Sequence, residues 1–218
     1  MVISNTHSSW DAKSPPRTAP PEMRRAQLME ATIESISRYG IAGTTMKKVT
    51  GIAGLSMGIV NFHFQNKETL FQETLRYLGQ EHRNRWSKGL KGARLTPTEK
   101  LLGIIDAHFH PDICNRRKLT VWFGFYGEAA YRAAYRKIMS EIDNERWEKS
   151  AELIGQIIKD GGYEGLVAEE ISDTLEGLYD GFWLNILLYP GTFAPADARE
   201  RIHDYLAGTF SRHIQRPS

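Results

Sequence analysis

A single cysteine, Cys114, among 218 residues rules out an intrachain disulfide and any cysteine-rich zinc module. With no disulfide framework, the chain suits a reducing compartment. No run approaches the roughly 20 apolar residues that a bilayer-spanning helix needs. The most apolar stretch, Phe182 to Leu188, is far too short. The opening residues MVISNTHSSWDAKSPPRTAPP have no basic start followed by an apolar core, so they do not read as a secretory signal. The expectation is a soluble cytoplasmic protein with no membrane partner. Catalytic signatures are missing too: there is no phosphate loop, no dinucleotide glycine pattern and no GxSxG. No spacing assembles His, Asp and Glu into an acid–base pair, so neither an enzyme nor a cofactor is expected. His108, His110, Asp112 and Cys114 surround a proline break. Histidines at i and i+2 point to different sides of a helix, so no metal site is expected there either.

Net charge is only +2. Residues 1–70 hold eight Lys and Arg against five Asp and Glu, a surplus of three, which leaves −1 for the remainder. That small basic bias at the N-terminal end is compatible with a polyanionic partner. Residues 1–21 are rich in Ser, Pro, Thr and Ala and read as a disordered arm, in which Lys13 and Arg17 either brush a polyanion or stay solvated.

Beyond the arm the periodicity is helical throughout, with no convincing strand alternation and no internal repeat. Leu28, Ala31, Thr32, Ser35, Ile36 and Tyr39 form one core-facing stripe that stops at Gly40. A short helix over Thr45–Ala53 turns Val49 and Ala53 inward. Gly54 makes a tight turn, and a third helix runs from the N-cap Ser56 to about His63, with Val60 and Phe64 inward beside Leu55. Asn66 caps a longer helix to about Lys88, carrying Leu70, Phe71, Leu75 and Leu78. Thr96-Pro97-Thr98-Glu99 is a capping box whose helix should reach about His110, before Pro111. Further helices are expected over about 115–128, 132–159, 168–189 and 195–213. The fold class is all-α with about nine helices, divided into the arm 1–21, a small unit 22–68 and a larger unit 69–218.

Three short helices with a glycine turn between the second and third describe a helix-turn-helix, whose last helix enters the major groove of double-stranded DNA. With Val60 and Phe64 inward, Met57, Ile59, Asn61, Phe62 and His63 should face away from the core. Asn61 can bond adenine, and Ile59 or Met57 can touch a thymine methyl. Ser56, His63 and Lys67 suit phosphates, as do Thr45 and Lys47 at the start of the preceding helix. A helical interaction protein is the competing reading, but it would not require an exposed Asn61-Phe62-His63 face with Lys67.

Residues 24–71, RRAQLMEATIESISRYGIAGTTMKKVTGIAGLSMGIVNFHFQNKETLF, resemble the TetR family of bacterial regulators. The matching features are Tyr39-Gly40, Thr44-Thr45, Ala53-Gly54-Leu55-Ser56, His63-Phe64 and Asn66-Lys67-Glu68. The resemblance implies a DNA-facing set of Met57, Gly58, Ile59, Asn61, Phe62, His63 and Lys67. Gly51-Ile52 departs from the basic residues the family often has there. The stretches KLTVWFGFYGEA (118–129) and LYDGFWLNILL (178–188) resemble the BetI-type subfamily, whose best-known members respond to choline. The family likeness implies a homodimer made by the last two long helices, through Leu178, Phe182, Ile186, Ile202, Leu206 and Phe210. The alternative for these stripes is ordinary intrachain core. It also implies a repressor released by a small-molecule effector. Trp122, Phe123, Tyr126, Tyr179 and Trp183, with Phe125 and with Glu128 and Asp180 nearby, are either packed core or an aromatic cage for a cationic ligand.

Overall fold

A computed structural model describes residues 19–92 and 94–215, so nearly all of the arm, including Lys13 and Arg17, lies outside the described residues. Among the described residues there are nine α-helices and no strand. In chain order they are α1 (Pro21–Gly43), α2 (Met46–Ala53), α3 (Met57–His63), α4 (Lys67–Gly89), α5 (Pro97–His108), α6 (Arg116–Ala129), α7 (Ala133–Gly161), α8 (Ala168–Leu188) and α9 (Pro195–Thr209). No helix among them is long and apolar enough to cross a membrane.

Local chemistry sets the boundaries. Side chains of Thr45, Ser56, Asn66 and Asn115 accept from the backbone N–H three residues on, and so start α2, α3, α4 and α6. Thr96 and Glu99 close the capping box of α5. Gly54 at φ 65° and Gly162 at φ 58° end α2 and α7 in the left-handed region that only glycine enters cheaply. Gly40, at φ 70°, breaks α1 as its sequence suggests, but one further turn follows to Gly43. Tyr39 is a correction. Its spacing predicts a place on the core stripe, yet it is 47% exposed, because the stripe ends at Ile36 and the Tyr39 ring points outward to stack under the Lys48 ammonium, 4.1 Å from the ring centroid.

One continuous core runs through the described residues, and a long helix spans it. α1, α2 and α3 close over Leu28, Ile36, Val49, Val60 and Phe64, all fully buried. α4 crosses the 68/69 division unbroken within its first turn, buries Leu70, Phe71 and Leu75, and continues into the larger bundle, where Leu78, His82 and Trp86 are buried. There it lies along α5 and α7. The Gly89 backbone sits so close to Gly103 of α5 that a Cβ would come within 3.0 Å of its carbonyl oxygen. α6 packs on α1: Arg117 reaches Glu30 at 2.5 Å and Glu34 at 3.0 Å, and Gly124 lies against Ile41.

Because Gly54 sets the angle between α2 and α3, Gly54→Ala should lower stability by about 1 kcal/mol. A lower urea midpoint at unchanged slope is the expected reading, and an unchanged midpoint would show that the turn tolerates a Cβ.

Candidate nucleic-acid interface and effector site

The helix-turn-helix leaves an unusual surface. α3 has seven residues, and Val60 is the only one that is buried. Phe62 is 82% exposed and Met57 40%, with Ser56, Gly58 and Asn61 exposed beside them. Thr45 and Lys47 are exposed at the start of α2. Ile59 corrects the sequence expectation: it is half-buried and packs against the core, since it lies one residue before the buried Val60 on the inward side. His63 is half-buried, its ring edge-on to Phe62 at 5.1 Å. Burial and the neighbouring Arg25 and Arg24 cations hold its pKa below the usual histidine value.

Lys67 is less free than its sequence position suggests. Its ammonium donates to the Ile41 carbonyl at 3.4 Å and sits 4.9 Å from the Phe71 ring centroid. It lines a cleft of about 290 Å³ between the two units, with Glu68, Arg132 and Tyr135. Glu68 there takes both Arg132, at 3.0 Å, and the Tyr135 hydroxyl, at 3.1 Å. Sequence reading missed Lys48, exposed and bonded to the Gly43 carbonyl at 2.7 Å, and it missed the ties made by α1.

The aromatic residues of α6 and α8 do converge, and around a residue the sequence did not single out for this role. His108, at the end of α5, is stacked on Trp183 at 4.1 Å and on Tyr179 at 4.2 Å. His82 of α4 lies 5.0 Å from His108 and 5.8 Å from Trp183. Trp122 stands 6.1 Å from Trp183 and 6.4 Å from Tyr126. Phe123 is half-buried at the edge, 5.4 Å from Tyr126. Phe125 faces the other way, toward Phe71 and Tyr135. Of the two acids expected nearby, Asp180 accepts from the Tyr126 hydroxyl at 3.2 Å, whereas Glu128 turns to Arg132 at 2.7 Å.

Against this slab lies a buried cation. Arg146 of α7 is paired with Glu176 and, at 3.2 Å, with Asp143, and its guanidinium is 5.7 Å from the Tyr179 ring centroid. Burial opposes its charge, but Glu176 and Asp143 more than offset that and keep it protonated. Burial holds His82 and His108 well below the usual histidine range, and Arg146 reinforces this, so both are neutral. Burial raises Asp143 and Asp180 above the usual carboxylate range. His82 Nε2, both ring nitrogens of His108 and the Tyr179 hydroxyl have no hydrogen-bond partner among the described residues. Burial also pushes the Cys114 thiol up to about 12, so it stays a thiol.

The proposed dimer stripe needs correction at four positions. Ile202, Leu206 and Phe210 are fully buried within one chain and Ile186 is 9% exposed, so these side chains are spent on the chain's own core. Periodicity found the apolar face of α9, but that face looks inward. Leu178 and Phe182 are half-buried, and the exposed face of α8 carries Gly177, Gly181, Leu184 and Leu188.

Removing Arg146 would leave Glu176 in the interior without its partner. Arg146→Met should cost about 3 kcal/mol, and adding Glu176→Gln should restore much of it. A double variant no better than the single, in thermal or urea unfolding, would show that the pair is not the unit.

Two family descriptions match the chain: bacterial regulatory proteins of the tetR family over residues 28–74, and the C-terminal part of BetI-type transcriptional repressors over residues 97–211. Among curated proteins, the HTH-type transcriptional regulator BetI of Paraburkholderia xenovorans (strain LB400) is 28% identical over 191 residues, covering 88% of this chain and 95% of that protein. The BetI of Burkholderia cenocepacia (strain J2315) is 27% identical over 191 residues, covering 88% and 96%. Among solved structures, a transcriptional regulator from Pseudomonas aeruginosa PAO1 shares the fold with a TM-score of 0.80 at 24% identity, covering 91% of this chain and 97% of that one. A regulator from Saccharomonospora viridis, solved in complex with choline, superposes with a TM-score of 0.78 at 18% identity, covering 89% and 100%. Its relatives are transcriptional regulators rather than enzymes, and the chain belongs to the TetR family, as a DNA-binding transcriptional regulator of the BetI type.

Proposed function

We propose that the protein is a ligand-released repressor that binds a palindromic operator as a homodimer in the bacterial cytoplasm, with a small cation of the quaternary ammonium class, such as choline, as effector. The observation that carries the DNA-binding part is the exposed Met57-Asn61-Phe62 face on a helix whose opposite side is anchored by Val60. In this reading Met57, Asn61 and Phe62 meet base edges, Ile59 contributes only its outer edge, and Gly58 lets the backbone approach closely. Thr45, Lys47, Ser56, His63 and Lys67 engage phosphates, Lys67 after leaving the Ile41 carbonyl. Two copies joined along the exposed α8 stripe, Gly177, Gly181, Leu184 and Leu188 with the outer parts of Leu178 and Phe182, would present two reading helices to successive major grooves.

The effector class is supported by charge. Asp143, Glu176 and Asp180 set three carboxylates against the single guanidinium of Arg146, beside the rings of Trp122, Tyr126, Tyr179 and Trp183. When all are ionised the sum is −2, next to ring faces that favour cations. Phe123, at the rim, is the weakest member of the set. A ligand seated there favours one placement of α4 and α6 over another and lowers operator affinity by no more than its own preference between them.

In a titration against the best duplex from a random-sequence selection, Asn61→Ala should lose about 1–3 kcal/mol of discrimination at one base pair. Equal loss on scrambled DNA would remove Asn61 from readout. Trp183→Ala should weaken choline binding in calorimetry while leaving operator affinity without choline unchanged; unaltered choline affinity would exclude Trp183. A cation prefers ionised carboxylates, and burial raises Asp143 and Asp180. Choline affinity should therefore fall on acidification, beginning at a higher pH than an ordinary aspartate would set, with Asp180→Asn flattening the profile. A pH-independent affinity would remove these acids from the site.

A further inference from the structure

The recognition helix has too little apolar anchorage to hold its own orientation. In its seven residues only Val60 is buried, with Ile59 half-buried and Phe64 just beyond its end. Its last carbonyls have no partner within the helix, as at any helix end. One of them, the His63 carbonyl, accepts from Arg25 Nη1 at 3.0 Å. The same guanidinium donates through Nη2 to Glu73 Oε2 of α4 at 2.9 Å and lies 4.6 Å from the Phe64 ring centroid. Two residues along α1, Gln27 Nε2 donates to the Ala53 carbonyl, the end of α2, at 2.8 Å. One turn of α1 thus grips the C-terminal ends of both helices of the motif.

We propose that Arg25 is a positioning residue for DNA recognition: its fork joins Glu73 of α4 to the end of α3 and so fixes the angle at which Asn61 and Phe62 are presented. This rests on α3 being the reading helix. A planar guanidinium is required, because only a fixed fork can bond a carboxylate and a carbonyl in two directions while stacking on a ring. A lysine ammonium supplies the charge but not the two-sided geometry. Glu73 stands on the helix that continues to His82 beside the aromatic cluster, so a displacement of α4 pulls on the His63 end of α3 through a single side chain.

The test uses the full-length protein, the duplex it selects from a random-sequence library and a scrambled duplex of equal length. Each is titrated by anisotropy over a salt series. Arg25→Gln and Arg25→Lys should both weaken the selected duplex by about 10-fold or more and the scrambled duplex by less than about 2-fold, with the salt slope unchanged. A phosphate contact gives the opposite pattern: Arg25→Gln weakens both duplexes alike and flattens the slope by about one, and Arg25→Lys restores binding. Glu73→Gln provides a second reading if the arginine variants do not fold. Deleting an acidic charge near a polyanion would by itself tighten binding, whereas loss of the joint should weaken the selected duplex by about 3-fold or more. The phosphate pattern, wild-type behaviour of Arg25→Lys or tighter binding by Glu73→Gln overturns the proposal. If the unaltered protein selects no sequence at all, the reading helix itself falls, and the joint with it.

Discussion

One helix carries the core from the small helices at the N-terminal end into the larger bundle. α4 has 23 residues, about 35 Å at 1.5 Å per residue. Its first turns bury Leu70, Phe71 and Leu75 with α1, and its later turns bury Leu78, His82 and Trp86 among α5 and α7. A continuous hydrogen-bonded helix cannot absorb a displacement at one end without passing it on. The small unit is therefore not a bead on a flexible string. The near-contact of Gly89 with Gly103 sets the depth of α4 against α5, and the Arg76–Glu141 and Arg83–Glu145 pairs lie along its seam with α7. These exposed pairs contribute little each, so it is apolar burial that fixes the seam.

The larger unit is organised by a buried cation and the rings beside it. Arg146 is kept charged in the interior by Glu176 and Asp143, and its field helps keep His82 and His108 neutral. The neutral His108 ring stacks on Trp183 and Tyr179, but both its nitrogens, and Nε2 of His82 beside it, go without protein partners among the described residues. Each buried polar group left unbonded costs about 1–3 kcal/mol. Any ligand group that bonds these atoms recovers that cost only in the conformer where they converge. Such a preference between conformers is what a regulatory ligand requires.

The helices were legible because each boundary is written in short-range chemistry: Asn66, Thr96, Asn115, Gly54 and Gly162 act within one turn of themselves. The exposed face of α3 was legible too, since Val60 and Phe64 fix which side is inward. What could not be read was which of two partners an apolar stripe meets. Ile202, Leu206 and Phe210 have the spacing of a seam whether it faces α8 of the same chain or a second chain, and only three-dimensional burial decides. Tyr39 and Ile59 failed at the margins of their stripes, where a rotation of one residue separates core from rim. His108, Arg146 and Glu176 were invisible as a group because they come from α5, α7 and α8, and periodicity says nothing about polar residues that meet across helices.

Two struts hold α1, and both carry residues of the aromatic cluster. α4 reaches it through Glu73 and Arg25, and bears His82 beside Trp183. α6 reaches it through Arg117, which grips Glu30 and Glu34, and bears Trp122 and Tyr126 on the same cluster. A guest that spreads Trp122 from Trp183 must move α6 against α8, and one that displaces His108 must disturb its contact with His82 on α4. Both α4 and α6 pack on α1, which holds the ends of α2 and α3 through Gln27 and Arg25. Apolar burial of Leu28, Val49, Val60 and Phe64 folds this end of the molecule, while the polar ties from α4 and α6 to α1 set how it is held.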